Sequence, residues 1–303
     1  MRRAAWPILF LVAAGCGKAE FNTEEYEAAV LEWREERLAR LRGENGYLNL
    51  AGLYWLDPGE TSFGGGNDND LVFPGVDTPR IGRFILGETG VRMVPEPGVD
   101  VRYEGIPVRA LNLSDDTTDT PVTITHGRFA WGVIRREDRY AIRLRDYEHP
   151  AIFGLPALEY FPIDTGYRVI GRLERYAEPR VLAVDTVVEG LGWNPVSPGV
   201  VEFRLAGESY SLEAYESGDS LFFVFGDRSN GRATYPAGRF LYAPMPGDDG
   251  RTVLDFNLAY NPPCAFNDFS TCPIAASRNR LPVAVEAGER YEPALFVGES
   301  AGR

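Results

Sequence analysis

Short apolar runs of strand length recur along most of this chain, and turn-forming residues separate them. From residue 81 onward they include RIGRFILG, VRMV, TPVTITHGRFAWGVIRRE and DRYAIRLRD, and a second series follows from RVIGRLERY to RTVLDFNLAY. The 33 glycines and 22 prolines are spread between the runs, which favours many strands joined by turns over disorder. We therefore expect a mainly β chain, built as a β-sandwich or as open-barrel units. Two consecutive β-units with a break near residues 147–166 would fit this pattern.

One segment near the beginning of the chain departs from the strand pattern. NTEEYEAAVLEWREERLARLRG, residues 22–43, offers a capping residue at Asn22 or Thr23, glutamates in its first turn and Gly43 as a stop. Apolar side chains recur on one face at helical spacing: Tyr26, Val30, Trp33, Leu38 and Leu41. The segment is predicted to be an N-terminal amphipathic helix that packs on the β-rich domain.

The first sixteen residues, MRRAAWPILFLVAAGC, have the layout of a secretory signal. Their apolar run is too short to span a bilayer, and AAGC resembles a lipobox, in which Cys16 is lipidated. The resulting division is a lipoprotein signal at 1–16, a tether at 17–22, a β-rich globular domain at 23–296 and a tail at 297–303. We expect a membrane partner through the anchor at Cys16 and a location in the cell envelope, outside the cytoplasm. With two membranes this would be the periplasmic side of the outer membrane. The alternative is an ordinary cleaved signal or a buried cysteine.

Charge and composition exclude several function classes. The formal net charge is -13, and cleavage before Cys16 would remove Arg2 and Arg3 and make it -15. A surface this acidic repels phosphate backbones, so we expect no nucleic-acid partner. Lys18 is the only lysine and lies in the predicted tether, which excludes a Schiff-base or phosphate-loop lysine in the domain. The chain also has no GxSxG, HExxH or GxGxxG motif.

The stretch DFNLAYNPPCAFNDFSTCPIAASRNRLPVAVEAGE, residues 255–289, holds the densest set of unusual residues. Cys264 and Cys272 enclose seven residues, and in an oxidising compartment we expect a disulfide or a pair of structural thiols. A zinc site would need two more ligands from distant residues, and a nucleophilic thiol would need a nearby histidine. No metal and no cofactor is predicted, although metal and catalysis stay open as alternatives.

Polar groups around these cysteines suggest either a structural plug or the floor of a ligand cleft. In RLRDYEH, Arg143 and Arg145 should share one face of a strand. Arg145, Asp146 and Glu159 could form a buried ion network, or they could present a guanidinium to a carboxylate. The candidate ligand-binding residues are Arg145, Asp146, Asp227, Arg239, Asn257, Tyr260 and Asn261. Weak candidates for a catalytic base are Asp255 and Glu286.

Several of these stretches together resemble a known family. The 255–289 stretch, FGDRSNGRATYPAGRFLYAP, IRLRD with LEYFPID, and LAGLYWLDPGETSFGGGNDNDLVFP are similar to the bacterial family called domain of unknown function 1684. The similarity covers about residues 26–293, and because that family has no established activity it implies no mechanism. The signature positions that it implies are Arg145, Asp146, Asp227, Tyr235, Gly238, Arg239, Asp255, Asn257, Tyr260, Asn261, Cys264, Cys272, Asn279 and Glu286.

Three function classes remain open from the sequence. The leading expectation is a lipid-anchored protein that binds a small polar or peptide-like ligand in a cleft beneath the 255–289 loop. The others are a hydrolase that uses Asp255 or Glu286, with or without a metal at the cysteine pair, and a structural envelope protein. Convergence of Arg145, Asp227, Arg239 and Asp255 on one pocket would favour binding or catalysis, whereas separate buried pairs would favour a structural role.

Overall fold

A computed structural model describes residues 21–155 and 157–292 of the chain. Within these ranges the α-helices are α1 (Thr23–Arg42) and α2 (Pro150–Gly154), and short 3-10 helices lie at Thr165–Tyr167, Phe256–Leu258, Pro263–Ala265 and Ser277–Asn279. The strands are β1 (Leu50–Trp55), β2 (Gly59–Gly64), β3 (Leu71–Val72), β4 (Gly82–Gly87), β5 (Gly90–Pro95), β6 (Arg102–Tyr103), β7 (Ile106–Pro107), β8 (Leu111–Leu113), β9 (Thr123–His126), β10 (Phe129–Arg136), β11 (Arg139–Asp146), β12 (Arg168–Val181), β13 (Val184–Asp185), β14 (Gly192–Trp193), β15 (Val196–Leu205), β16 (Glu208–Ser217), β17 (Ser220–Phe225), β18 (Arg239–Pro244) and β19 (Arg251–Asp255).

The first half of the described chain forms two sheets around a shared core. The first sheet has the order β1-β11-β10-β9-β6-β7, and a five-stranded sheet has the order β3-β2-β4-β5-β8. The rings of Phe63 on β2 and Phe84 on β4 stack with centroids 4.0 Å apart, and Phe63 meets Trp131 of the first sheet edge-on. Because side chains alternate along β11, Ile142 and Leu144 enter this core, whereas Arg143 and Arg145 point the other way.

Besides the two-stranded sheet of β13 and β14, the second half forms a six-stranded sheet with the order β18-β17-β16-β15-β12-β19, which we call the second sheet. Its inner face carries an apolar cluster that includes Val201, Leu212, Phe223 and Leu254. The sheet curls so that its first and last strands approach each other, and the Thr252 hydroxyl on β19 donates to the Pro244 carbonyl 2.7 Å away on β18. The predicted mainly β class, with sandwich or open-barrel units and one N-terminal helix, is confirmed.

Helix α1 has the ends that the sequence predicts. The Asn22 side chain accepts hydrogen bonds from the backbone of Glu24 and Glu25, and the Gly43 amide closes the last turn onto Ala39. Val30 and Leu41 are buried, together with Arg37, which the apolar stripe had not included. The helix contacts the 3-10 turn at Phe256–Leu258, and so lies against the 255–289 loop.

The two ends of the 255–289 loop approach each other closely at Gly288. Gly288 has a φ of +78°, and a Cβ atom there would lie 2.3 Å from the carbonyl oxygen of Ala259. Only glycine fits this position, and it sets the side chain of Glu289 beneath α1.

Among the described residues, no helix has both the length and the apolar composition needed to cross a bilayer. The predicted signal, the lipidation site Cys16 and most of the tether lie outside the described residues, as does the predicted tail. The predicted domain boundaries therefore stay predictions.

Candidate functional site

The 255–289 loop contacts both halves of the described chain. Isolated β-bridges join Tyr260 of the loop to Phe240 of β18, and Glu289 of the loop to Tyr160 in the segment after α2. On the other side, the Asn267 amide donates to the carbonyl of Tyr47 at 3.1 Å. The loop is therefore placed between the first sheet, the second sheet and α1.

Arg239 and Asp227, both predicted ligand-binding residues, form a fully buried ion pair. The guanidinium lies 2.9 Å from the carboxylate and also donates to the carbonyls of Val285 and Ala287. Burial lowers the pKa of Arg239, with the Asp227 charge acting in the opposite direction. Because the side chains of both partners are 0% exposed, this pair fastens the loop to β18 and presents no charge to solvent.

Asp255 and Asn257 form a second buried network with α1. The Tyr26 hydroxyl donates to Asp255 at 2.9 Å, and the Asn257 amide donates both to that hydroxyl and to the Asp164 carbonyl. Burial raises the pKa of Asp255, while its hydrogen bonds from Tyr26 and Asn257 act to lower it. Glu286, the other candidate base, has an exposed side chain outside this network.

Tyr260 and Asn261 belong to a third network. The guanidinium of Arg37 lies over the Tyr260 ring at 4.6 Å, pairs with Glu289 at 2.9 Å and donates to the Asn261 carbonyl. The Asn261 side-chain amide donates to the Arg290 carbonyl. This network joins α1 to the end of the loop and encloses a charged pair that is almost fully buried.

Asp146 and Arg145, adjacent on β11, have separate partners. Asp146 is buried, lies 3.1 Å from Arg128 and accepts a hydrogen bond from the backbone of Glu148. Arg145 donates to the Gly46 carbonyl and to the Asn49 side-chain oxygen. Arg145, Asp255 and the Arg239–Asp227 pair therefore belong to three separate networks, and these contacts do not bring them into one pocket.

Other residues that the sequence singled out also have structural partners. The Asn279 side chain bonds the backbone of Glu213 and Val224 and joins two strands of the second sheet. The Tyr235 hydroxyl donates to the Cys264 carbonyl, and Gly238 has a φ of +111° that favours glycine.

Arg143 differs from all of these groups because its charge has no partner among residues 21–155 and 157–292. It lies on β11, two residues before Arg145, on the face opposite the core. In the part of the chain that the structure describes, its guanidinium makes no hydrogen bond or ion pair, and its buried Nε atom has no acceptor. Burial lowers the pKa of Arg143, and the neighbouring charge of Arg136 lowers it further. Burial and then Arg143 itself likewise lower the pKa of Arg145.

The 255–289 loop lies opposite these arginines. The Arg136 guanidinium donates to the Thr271 hydroxyl at 3.0 Å and pairs with Asp116 at 2.9 Å. Tyr47 and the thiol of Cys272 lie within electrostatic range of Arg143. We use the name arginine cleft for this set of neighbouring side chains between the first sheet and the loop: Arg136, Arg143, Arg145, Tyr47, Cys264 and Cys272. Each member except Cys272 keeps some solvent-exposed surface.

Cys264 and Cys272 face each other as free thiols, and no disulfide bond joins them. The backbone amide of each residue donates to the sulfur of the other, at 3.2 and 3.3 Å. The hydrogen bond from Cys272 lowers the pKa of the Cys264 thiol, whereas burial raises the pKa of Cys272 far above its ordinary value. Within the described ranges, no three histidine, cysteine or carboxylate side chains cluster as metal ligands would.

Two surface hollows lie away from the predicted residues. One, of about 330 Å³, is lined by Glu60, Arg83 and four other polar residues of the first half. The other, of about 710 Å³, runs along the outer face of the second sheet past Arg172 and Arg204. In both hollows arginines already have partners: Arg83 pairs with Glu60, Arg172 pairs with Glu174, and Arg204 donates to the Gly207 carbonyl. We therefore place the candidate site at the arginine cleft.

Sequence reasoning missed Arg143, Arg37 and Glu289 as members of these networks. The alternation in RLRD had placed Arg143 on the same face as Arg145, so the signal for Arg143 was present. Arg37 lies on a helix face that looked polar, and its burial depends on a loop more than two hundred residues away.

Comparisons with known proteins give a family but no activity. The sequence model of the family described as "Protein of unknown function (DUF1684)" matches residues 154–290. An uncharacterized protein of Haloarcula marismortui, known from a solution NMR structure, is 31% identical, with a TM-score of 0.39. The similarity covers 47% of this chain and 80% of that one. No match was found among curated proteins.

Proposed function

The chain belongs to the family described as protein of unknown function (DUF1684). We propose, from the structure, that it binds a small ligand bearing a carboxylate or phosphate group in the arginine cleft. The observation that carries the proposal is the partly buried guanidinium of Arg143, which has no acceptor among the described residues. A charge held this way is unfavourable until an anion or ordered water completes its hydrogen bonds.

The charges around Arg143 favour an oxyanion over a cation or a neutral group. Arg136 is neutralised by Asp116, but neither Arg143 nor Arg145 has a carboxylate partner in the described ranges. The cleft is thus a positive region in a chain with a net charge of -13. A guanidinium offers a planar set of donors that matches a carboxylate or phosphate with two parallel hydrogen bonds.

The setting that goes with this proposal is the cell envelope. The N-terminal sequence supports a signal peptide and a lipid anchor at Cys16, in an oxidising compartment such as the periplasm. A disulfide between Cys264 and Cys272 belongs to the same proposal, since such a compartment allows it to form.

A thermal unfolding screen tests the binding proposal. Citrate, inorganic phosphate and acetate are added at a constant ionic strength set with chloride, because a ligand that binds only the folded state raises the unfolding temperature. We expect a concentration-dependent rise with citrate or phosphate, and none in Arg143→Gln. The proposal fails if chloride has the same effect, or if Arg143→Gln responds as the unmodified chain does.

A structural envelope role is the second candidate. It is favoured because Arg239, Asp255 and Arg37 each bind other residues of the protein in a separate buried network. A hydrolase based on Asp255 or Glu286 has less support, since the first is enclosed by Tyr26 and Asn257 and the second is exposed.

A further inference from the structure

The two thiols of the 255–289 loop are held face to face by the fold. The carbonyl of Cys272 accepts the amide of Val187 at 2.9 Å, and the carbonyl of Cys264 accepts the Tyr235 hydroxyl. Asn267, midway between the cysteines, binds the loop backbone at Pro263 and Phe269. Both cysteines are therefore positioned by contacts that do not involve their sulfur atoms.

The thiols differ in access and in surroundings. Cys264 is partly exposed, whereas Cys272 is 4% exposed and lies in an apolar cluster with Phe240 and Ala275. The Cys264 sulfur accepts the backbone amide of Cys272 at 3.3 Å, and the neighbouring Cys272 side chain lowers the pKa of Cys264. Such donors, with the nearby Arg143 charge, stabilise a thiolate at Cys264.

From this arrangement we propose that Cys264 and Cys272 form a thiol–disulfide exchange site, in which Cys264 attacks an external small-molecule disulfide and Cys272 resolves the mixed disulfide. The partner is identified by its chemistry alone, as a disulfide small enough to reach Cys264. The proposal does not depend on anion binding in the arginine cleft.

The exchange balances in two steps. The Cys264 thiolate attacks one sulfur of the small disulfide, forms a mixed disulfide and releases one small thiolate. Cys272 then attacks the Cys264 sulfur and gives its proton to the released thiolate, while the second small thiolate departs and takes a proton from solvent. Two electrons pass from the protein thiols to the small disulfide, which leaves one intramolecular disulfide and two small thiols.

The asymmetry between the two thiols gives the proposal its sharpest consequence. When Cys272 is removed, no second thiol of the pair can attack the mixed disulfide at Cys264, so the mixed disulfide accumulates. When the attacking thiol is removed, the buried Cys272 remains, and its neutral thiol is a poor nucleophile. A pair of merely adjacent, equivalent thiols would show no such difference.

The test uses the full chain with Cys16→Ser, so that the pair supplies all the thiols, and oxidised glutathione as the probe. Protein purified without chelator should carry no bound metal, and its two free thiols should fall to none while two glutathione molecules are released per chain. Cys272→Ser should stop at a stable mixed disulfide. Cys264→Ser should react at least about tenfold more slowly, because little thiolate forms at the buried position.

Three results would overturn the proposal. The first is a folded chain that keeps both thiols in oxidised glutathione, although the same chain reacts in urea. Another is equal reactivity of Cys264→Ser and Cys272→Ser, with tryptophan fluorescence showing that both are folded. The third is stoichiometric metal bound by the two thiols, which would identify a soft-metal site instead. A failed anion screen changes none of these readouts, so the two proposals fail separately.

Discussion

The Arg143 guanidinium is held in a partly buried position where no described residue accepts a hydrogen bond from it. A buried charge without a partner typically costs a protein several kcal/mol of stability. Arg239, which is more deeply buried, avoids this cost through Asp227 and two carbonyl groups. The contrast explains why we assign a binding role to Arg143 and a structural role to Arg239.

Replacing Arg143 with methionine should therefore stabilise the protein while abolishing anion binding. We expect the free energy of unfolding to rise by about 1 kcal/mol, because methionine fills similar volume without a charge to desolvate. Urea unfolding measures this change, with the exposed Arg92→Met on β5 as a control that should shift stability by less than about 0.5 kcal/mol. A loss of stability in Arg143→Met would mean that the guanidinium has a structural partner.

Asp255 makes a second prediction, about pH. Burial raises its pKa in the folded protein, so the folded state binds a proton more tightly than the unfolded state does. Its contribution to stability is complete below the unfolded pKa of about 4 and is lost as pH rises through the raised folded value. Asp255→Asn cannot ionise, so its stability relative to the unmodified chain should increase over that rise and then level off.

Urea unfolding at a series of pH values from about 4 to 8 measures this difference. The exposed Asp57→Asn serves as a control and should show no comparable trend. If the relative stability of Asp255→Asn instead falls as pH rises, the hydrogen bonds from Tyr26 and Asn257 outweigh burial.

Residues of the candidate site were predictable from the sequence only in part. The alternation of β11 placed Arg143 and Arg145 together, and the cysteine spacing placed two thiols on one loop. Whether an arginine has a partner depends on contacts distant in sequence, such as Arg239 with the carbonyls of Val285 and Ala287. For that reason Arg239 looked like a ligand-binding group and Arg143 did not stand out.

At the level of elements, α1 is fastened to the 255–289 loop by polar contacts as well as by apolar packing. Near the start of α1, Tyr26 contacts Asp255; farther along the helix, Arg37 contacts Glu289 and Asn261. The second contact encloses charge, so losing either member would leave its partner charged and buried.

Arg37→Met should destabilise the protein by about 3 kcal/mol or more, because Glu289 would then be an unpaired buried carboxylate. The double variant Arg37→Met/Glu289→Leu should regain most of this loss, which a double-mutant cycle of urea unfolding would show. The exposed pair on the same helix, Arg40 with Glu36, supplies the control, and Glu36→Ala should cost less than about 0.5 kcal/mol. Additive losses in the cycle would contradict the buried pair.

Whether a segment is a helix or a strand could be predicted from its local sequence pattern, whereas the pairing of strands could not. The cap at Asn22, the stop at Gly43 and the alternation of β11 are local, and the structure has each of them. The pairing of β1 with β11 and of β12 with β19 joins segments about eighty or more residues apart. Periodicity carries no information about such partners, so the order of strands within the sheets could not be predicted.

Across the described residues as a whole, the sheets of both halves of the chain contact one loop. Arg136 with Thr271 and Tyr47 with Asn267 connect the first sheets to that loop, while Arg239 and Glu289 connect the loop to the second sheet and to α1. The arginine cleft lies where the first sheet meets the loop. Its positive charge contrasts with the net charge of -13, so salt should weaken anion binding there.

Calorimetric titration of citrate at low salt tests the central claim most directly, in the unmodified chain, Arg143→Gln and Arg92→Gln. Both substitutions remove one positive charge, but only one of them lies in the cleft. The account predicts saturable binding by the unmodified chain and by Arg92→Gln, with affinity at least about tenfold weaker in Arg143→Gln, which corresponds to about 1.4 kcal/mol. Equal affinities in all three proteins, or no binding of citrate or phosphate by any of them, would contradict an anion site at Arg143.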